Sequence, residues 1–175
     1  MQTFLFSLFL LLSLQGCSVK PYVPSKSEEA RLAIKLQQLS SQASPEEVAH
    51  ITHRIYVKVA ELTQKFALTS PPAYHNFLVN VGLKKKGLCY DWGDALYLTL
   101  LQTHSPSFAF HLVGANIGAY WREHNAVVVS KKNESIQKGI VLDAWRDSGR
   151  LYSVQVTQDT YHWVHRPLRC MALKR

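Results

Sequence analysis

Apolar residues recur at helical spacing up to about residue 102 and at strand spacing beyond Pro106, and this single change of period fixes the fold class. A first helix is predicted over residues 28–39, with Ala30, Ile34 and Leu36 among its apolar positions. Ser44-Pro45-Glu46-Glu47 then reads as a helix start. Ser44 is the cap, Pro45 fits the first helical position, and Glu47 completes a capping box. The helix that follows should reach about Ala67, carrying Val48, Ile51, Ile55, Val59, Leu62 and Phe66 on one stripe. Ser70-Pro71-Pro72 breaks the chain before a short helix over 73–81. Residues 89–102 form a further helix with Cys89, Trp92, Gly93, Leu96 and Leu100 on one side. Strands are predicted over 108–113, 124–130, 140–145 and 151–156, with a turn over 133–139. Helices first and antiparallel strands second make an α+β domain, with the helices, including the one that starts at Cys89, packed on an antiparallel sheet.

The start of the chain has a separate logic. Residues 2–14 are almost wholly apolar, yet shorter than the roughly 20 residues a bilayer-spanning helix needs. Such a run suits the apolar region of a secretory signal. Leu14-Gln15-Gly16-Cys17 resembles the lipoprotein cleavage box, which implies cleavage before Cys17 and lipid on that residue. The expected organisation is a signal over 1–16, a lipidated tether over 17–27 and one domain over 28–175. Two prolines among small polar residues mark residues 18–27 as extended and solvated. The expected location is the bacterial cell envelope, anchored to a membrane facing the periplasm, by preference the outer one.

A formal net charge of +8 would raise nucleic acid in a cytoplasmic protein. In the envelope the anionic partners are lipid headgroups and cell-wall polymers, so no nucleic acid is expected. Lys84-Lys85-Lys86 is the one dense basic run, read as a solvated loop. With Cys17 lipidated, Cys89 and Cys170 remain in an oxidising compartment. They either form a disulfide or stay apart, with Cys170 an inert buried thiol.

Order and context single out three residues. Cys89 follows Lys-Lys-Lys-Gly-Leu at a predicted helix N-terminus, where unpaired N–H groups and the helix dipole favour a thiolate. Gly87 lets the backbone approach a substrate, and Trp92 packs beneath. His124 opens the strand His-Asn-Ala-Val-Val-Val, and alternation sets His124, Ala126 and Val128 on one sheet face. That face is expected to lie under the Cys89 helix, so the imidazole can exchange the thiol proton. Asp143 interrupts the apolar run Ile-Val-Leu-Asp-Ala-Trp, and a carboxylate there must be paired; the far nitrogen of His124 and Arg146 are both candidates. Each residue also has a bland explanation as core thiol, strand-end histidine or turn cap.

The stretch 85–146 resembles the transglutaminase-like branch of the papain-type cysteine hydrolases, especially the bacterial transglutaminase-like cysteine proteinases. Gly87-Leu88-Cys89-Tyr90-Asp91-Trp92 matches their nucleophile region, His124-Asn125-Ala126-Val127-Val128-Val129 their histidine strand, and Val141-Leu142-Asp143 their third element. The resemblance implies a Cys89-His124-Asp143 triad cleaving, or transferring, peptide or amide bonds of an envelope protein or a peptidoglycan peptide. Leu88 and Tyr90 stand where the bacterial proteinases carry calcium-binding acids, so no metal and no cofactor is expected. Ala126 stands where animal transglutaminases have Trp, which favours hydrolysis over cross-linking. His50 and His53 share a helix face but lack a third ligand. Tyr161, His162, Trp163 and His165 read as an amphipathic tail packed on the domain. The alternative from another class is a non-catalytic envelope module that binds a wall or protein partner.

Overall fold

In the computed structural model, which describes residues 17–119 and 121–173, five helices accompany a five-stranded antiparallel sheet. The apolar run and cleavage box up to Gly16 lie outside the described residues. Helix α1 (Lys26–Leu39) starts two residues early because Ser25 caps it: Ser25 Oγ accepts from Glu28 N, and the Glu28 carboxylate accepts from Ser25 N at 3.0 Å. Of the apolar positions named, Leu36 faces inward, together with Leu32 four residues before it, whereas Ile34 does not. At about 100° per residue, Ile34 points away from both leucines and is 56% exposed.

Helix α2 (Pro45–Lys65) buries Val48, Ile51, Ile55, Val59 and Leu62, as its spacing demands. Ser44 Oγ accepts from Glu47 N at 3.2 Å, but the expected capping box stays open. The Glu47 carboxylate is drawn instead to Ser107 N (3.2 Å), Ser107 Oγ (2.7 Å) and Ser105 Oγ. Three donors from the entry to the sheet outcompete one at the cap. Helices α3 (Pro72–Asn80) and α4 (Cys89–Leu101) follow, the latter beginning at the expected residue.

The segment expected as a solvated tether is docked. Strand β1 (Cys17–Ser18) pairs with β2 (Thr69–Ser70), Cys17 opposite Ser70, and Val19 N donates to Leu68 O at 2.9 Å. Val19 packs beside Phe66, Leu68 and Trp92, and Tyr22 OH donates to the Glu28 carboxylate. Composition favoured solvation there; backbone pairing and an apolar anchor override it.

The main sheet runs β6-β5-β4-β3-β7, from β3 (Phe108–Ala115), β4 (His124–Lys131), β5 (Ile140–Asp147), β6 (Arg150–Gln155) and β7 (Val164–His165). A last helix, α5 (Pro167–Leu173), closes the described chain. Helix α4 lays Leu96, Tyr97 and Leu100 on one sheet face, against Leu112, Val127, Val129 and Leu142. The other face, with Val113, Ala126, Val128 and Val141, is covered by Val156 and Trp163. Among the described residues no helix is long and apolar enough to cross a membrane.

Candidate active site

Strands β4 and β5 are neighbours with Val127 opposite Leu142, which sets the start of β4 beside the later half of β5. His124 and Asp143 meet there: Nε2 and Oδ2 are 2.6 Å apart, and both residues are buried. A bulge supplies the rest of the carboxylate's partners. Between Asp143 and Asp147 the register with β6 shifts, since Asp143 faces Tyr152 and Asp147 faces Arg150. The N–H groups of Trp145 and Arg146 turn onto Asp143 Oδ1 at 3.0 and 3.1 Å, and Arg146 Nε donates to Oδ2 at 3.1 Å. Four donors thus satisfy one buried carboxylate. Burial alone would push the Asp143 carboxyl up, but His124 and Arg146 pull it below its usual range.

Arg146 is shared. Its two Nη atoms fork onto Asp159 at 3.0 Å each, and Asp159 also accepts from Trp163 Nε1 at 2.9 Å. The run therefore goes from imidazole to carboxylate to guanidinium to carboxylate to indole. Around the imidazole stand Trp145, Tyr161 and Trp163, with ring centroids 4.8, 4.9 and 5.5 Å from it. These rings exclude water and fix the ring plane.

With Nε2 held by Asp143, Nδ1 is the free face of the ring. Nδ1 is buried and has no hydrogen-bond partner among the described residues. The Cys89 thiol lies close enough to raise the ring's proton affinity, although no Sγ–Nδ1 hydrogen bond is closed. Burial lowers the His124 pKa, but the Asp143 hydrogen bond and the Cys89 group outweigh it and raise it to about 9. This shift has a stability consequence. The folded state binds a proton the unfolded chain loses above its ordinary 6.5, so the stabilisation is complete below 6.5 and lost as pH rises through about 9. Unfolding free energy should fall by about 3 kcal/mol across that window, and denaturant titrations of wild type against His124→Gln check it.

Cys89 is the first residue of α4, and its N–H takes no acceptor among the described residues. The thiol is 8% exposed. Sγ lies 3.7 Å from Asn125 Nδ2 and 3.9 Å from Glu123 O. The orientation of the Asn125 amide follows from its other end. Arg166 Nη1, which can only donate, sits 2.5 Å from Asn125 Oδ1 and 2.7 Å from Glu123 Oε1, so the NH2 group must face the sulfur. The loop before Cys89 is held twice. Asp91 Oδ2 accepts from Gly87 N (2.9 Å) and Leu88 N (3.1 Å), and His75 Nε2 bonds Lys86 O at 2.9 Å. Thr69 N donates to His75 Nδ1 at 3.2 Å, so the proton must be on Nε2. Gly87 has φ +119°, and a Cβ there would meet His75 Nε2 at 2.2 Å; only glycine fits.

The three residues singled out in the sequence thus come together, with one correction. His124, Ala126 and Val128 do share a face, but it is the face turned away from the body of α4. Cys89 reaches His124 at the rim, where β4 begins. Cys170, also buried, carries a free thiol separate from Cys89 and accepts from Leu112 N at 3.4 Å. Trp92 packs edge-on to Phe66 at 5.2 Å under the start of α4. His50 and His53 are both exposed, and among the described residues no group of three His, Cys, Asp or Glu is placed to hold a metal.

Several residues escaped the sequence reading. Asn125 was readable as a polar residue inside an apolar strand. Arg146, expected as a rival to His124 for Asp143, binds the carboxylate alongside it. His75, Asp159 and Arg166 carry no sequence signal of their own. Trp163 and Tyr161 do pack on the domain, and the surface they cover is that of the His124 imidazole.

A hollow of about 650 Å³ is lined by Glu47, Ser107, Lys131 and Lys132, at the far end of β4 from His124. Glu47 is already satisfied there, and no thiol or imidazole lines it. No family model matches the chain, and neither a curated protein nor a solved structure matches it.

Proposed function

We propose that this chain is a lipid-anchored envelope cysteine hydrolase of the transglutaminase-like type, acting on peptide or amide bonds. The observation that carries the reading is the buried imidazole with Nε2 locked on Asp143 and Nδ1 unpartnered beside Cys89, itself at a helix N-terminus. His124 Nδ1 takes the Cys89 thiol proton, which gives the imidazolium and the attacking thiolate. Sulfur attacks the amide carbonyl carbon, and the carbonyl electron pair moves to oxygen. His124 Nδ1 gives its proton to the leaving nitrogen as the C–N bond breaks, leaving a thioester on Cys89. Water then attacks, giving its proton to Nδ1, and the acid departs with the thiolate restored. Asp143 holds the ring in one tautomer and balances the imidazolium.

Two donors suit the oxyanion. One is the free N–H of Cys89. The other is Asn125 Nδ2, fixed by Arg166 and close enough to sulfur to reach an oxygen bound to the attacked carbon. Asn125→Ala should lower kcat by about 10²–10³ with little change in KM. A screen of peptide amides against wild type, Cys89→Ala and Asn125→Ala tests the reading. Turnover that survives Cys89→Ala would sink it.

The rival, a non-catalytic envelope module of the same fold, is favoured by the closure of the site: the thiol is nearly covered, and the 650 Å³ hollow lies at the other end of β4. For the anchor, Cys17→Ser should release the chain from the membrane fraction and abolish palmitate incorporation. Equal palmitate in both forms contradicts the lipid on Cys17.

A further inference from the structure

We propose that helix α3 and the loop behind it dock on an anionic lipid bilayer, so that Cys89 works at the membrane surface on membrane-proximal peptide segments. The proposal rests on Cys17 as the lipid-bearing residue. It starts from a cluster that the catalytic account leaves unused. On α3, Tyr74 stacks on Phe77, with ring centroids 6.4 Å apart. Phe77 is 54% exposed, Val81 51% and Leu83 74%, all within one short stretch of chain. Single exposed apolar residues are ordinary; several together mark a surface that something covers. Directly after them come Lys84, Lys85 and Lys86. Lys84 is tied back to Ala67 O, while Lys85 and Lys86 are exposed.

An apolar patch continuous with exposed lysines matches the boundary between acyl chains and anionic headgroups. The position of the anchor agrees. Cys17 is not on a free tether but backbone-paired with Ser70, two residues before α3 begins. A nine-residue helix is about 13 Å long, so the patch sits within roughly one helix length of the lipid.

The same helix serves the active site from its inner side. His75 holds Lys86 O, three residues before the nucleophile, and Asn76 Oδ1 accepts from Trp145 Nε1 at 3.1 Å, next to the His124 ring. The membrane face and the nucleophile loop are thus two sides of one element. A substrate held at the bilayer is presented to Cys89, and a substrate far from it is not.

The test is lysine footprinting of the intact lipidated protein with a membrane-impermeant acetylating reagent, on phosphatidylcholine vesicles with and without phosphatidylglycerol. Lys131 and Lys132, at the other end of the sheet, serve as internal references. Acetylation of Lys85 and Lys86 should slow at least tenfold on anionic vesicles, about fivefold being expected from each lysine, with Lys131 and Lys132 unchanged. The double variant Phe77→Ser/Leu83→Ser, at exposed positions, should lose most of that protection while keeping the fold. Equal labelling on both vesicle types, protection of Lys131 and Lys132 instead, or protection only in the presence of envelope proteins overturns the proposal. The mass of the Cys17 peptide reads the anchor separately. Lipid present without protection overturns the docking alone, and lipid absent overturns the anchor and the docking with it.

Discussion

Arg146→Ala is expected to lower the unfolding free energy by about 3–5 kcal/mol, among the largest losses a single substitution produces. The guanidinium donates to Asp143 and forks onto Asp159, whose side chain is fully buried. Removing it takes the countercharge and two donors from Asp159 and one donor from Asp143, which then has His124 alone as its countercharge. The packing goes too, since the guanidinium lies over the Tyr152 and Tyr161 rings at 4.2 and 4.9 Å. Arg146→Lys should recover little, because one ammonium cannot fork onto Asp159 and still reach Asp143. Urea titration of the three proteins measures this as a fall in midpoint at constant slope. A loss under about 1 kcal/mol would mean that water replaces the guanidinium and that the two carboxylates are not held as one unit.

Asp143→Asn should cut turnover by roughly 10³–10⁴ while leaving the fold in place. The size follows from which atom must be where. Trp145 N and Arg146 N both donate to Oδ1, so the carbonyl of an asparagine is forced into that position. Its NH2 group then lands where Oδ2 was, facing His124 Nε2 and Arg146 Nε. A donor there demands a lone pair on Nε2, which moves the ring's proton to Nδ1. The ring can then no longer accept a proton from the attacking water. It also loses the charge that holds its pKa near 9. Single-turnover rates on a cleaved peptide amide measure the loss, with near-wild-type circular dichroism as the control. Turnover within tenfold of wild type would remove Asp143 from the mechanism.

Much of this was legible before any coordinates. The helix that starts at Cys89 and the strands that start at His124 and end beyond Asp143 follow from apolar period alone. Period cannot say which side of a helix wins when two stripes compete. Leu32 and Leu36 face inward over Ile34 because α2 lies on that side, a tertiary fact. Nor can composition see that residues 17–19 find a backbone partner fifty residues later in the chain. Strand β7 is two residues long and too short to leave a pattern. For the site, strand alternation correctly grouped His124 with Ala126 and Val128. It could not say which face α4 covers, and the thiol meets the imidazole over the strand's end. The residues that escaped notice, His75, Asp159 and Arg166, act through contacts that span 11 to 43 positions along the chain.

The central claim is that Cys89 is a nucleophile activated by His124, and selective alkylation tests it most directly. Iodoacetamide is applied near pH 6, where an ordinary thiol of pKa about 8.5 is almost wholly protonated. Peptide mass spectrometry then reads the rates at Cys89 and Cys170 in one protein. The account predicts labelling of Cys89 at least tenfold faster than Cys170, with the difference lost in His124→Ala. Equal rates at the two cysteines, or a Cys89 that stays unlabelled in the reduced and folded protein, would contradict it and leave the non-catalytic envelope module standing.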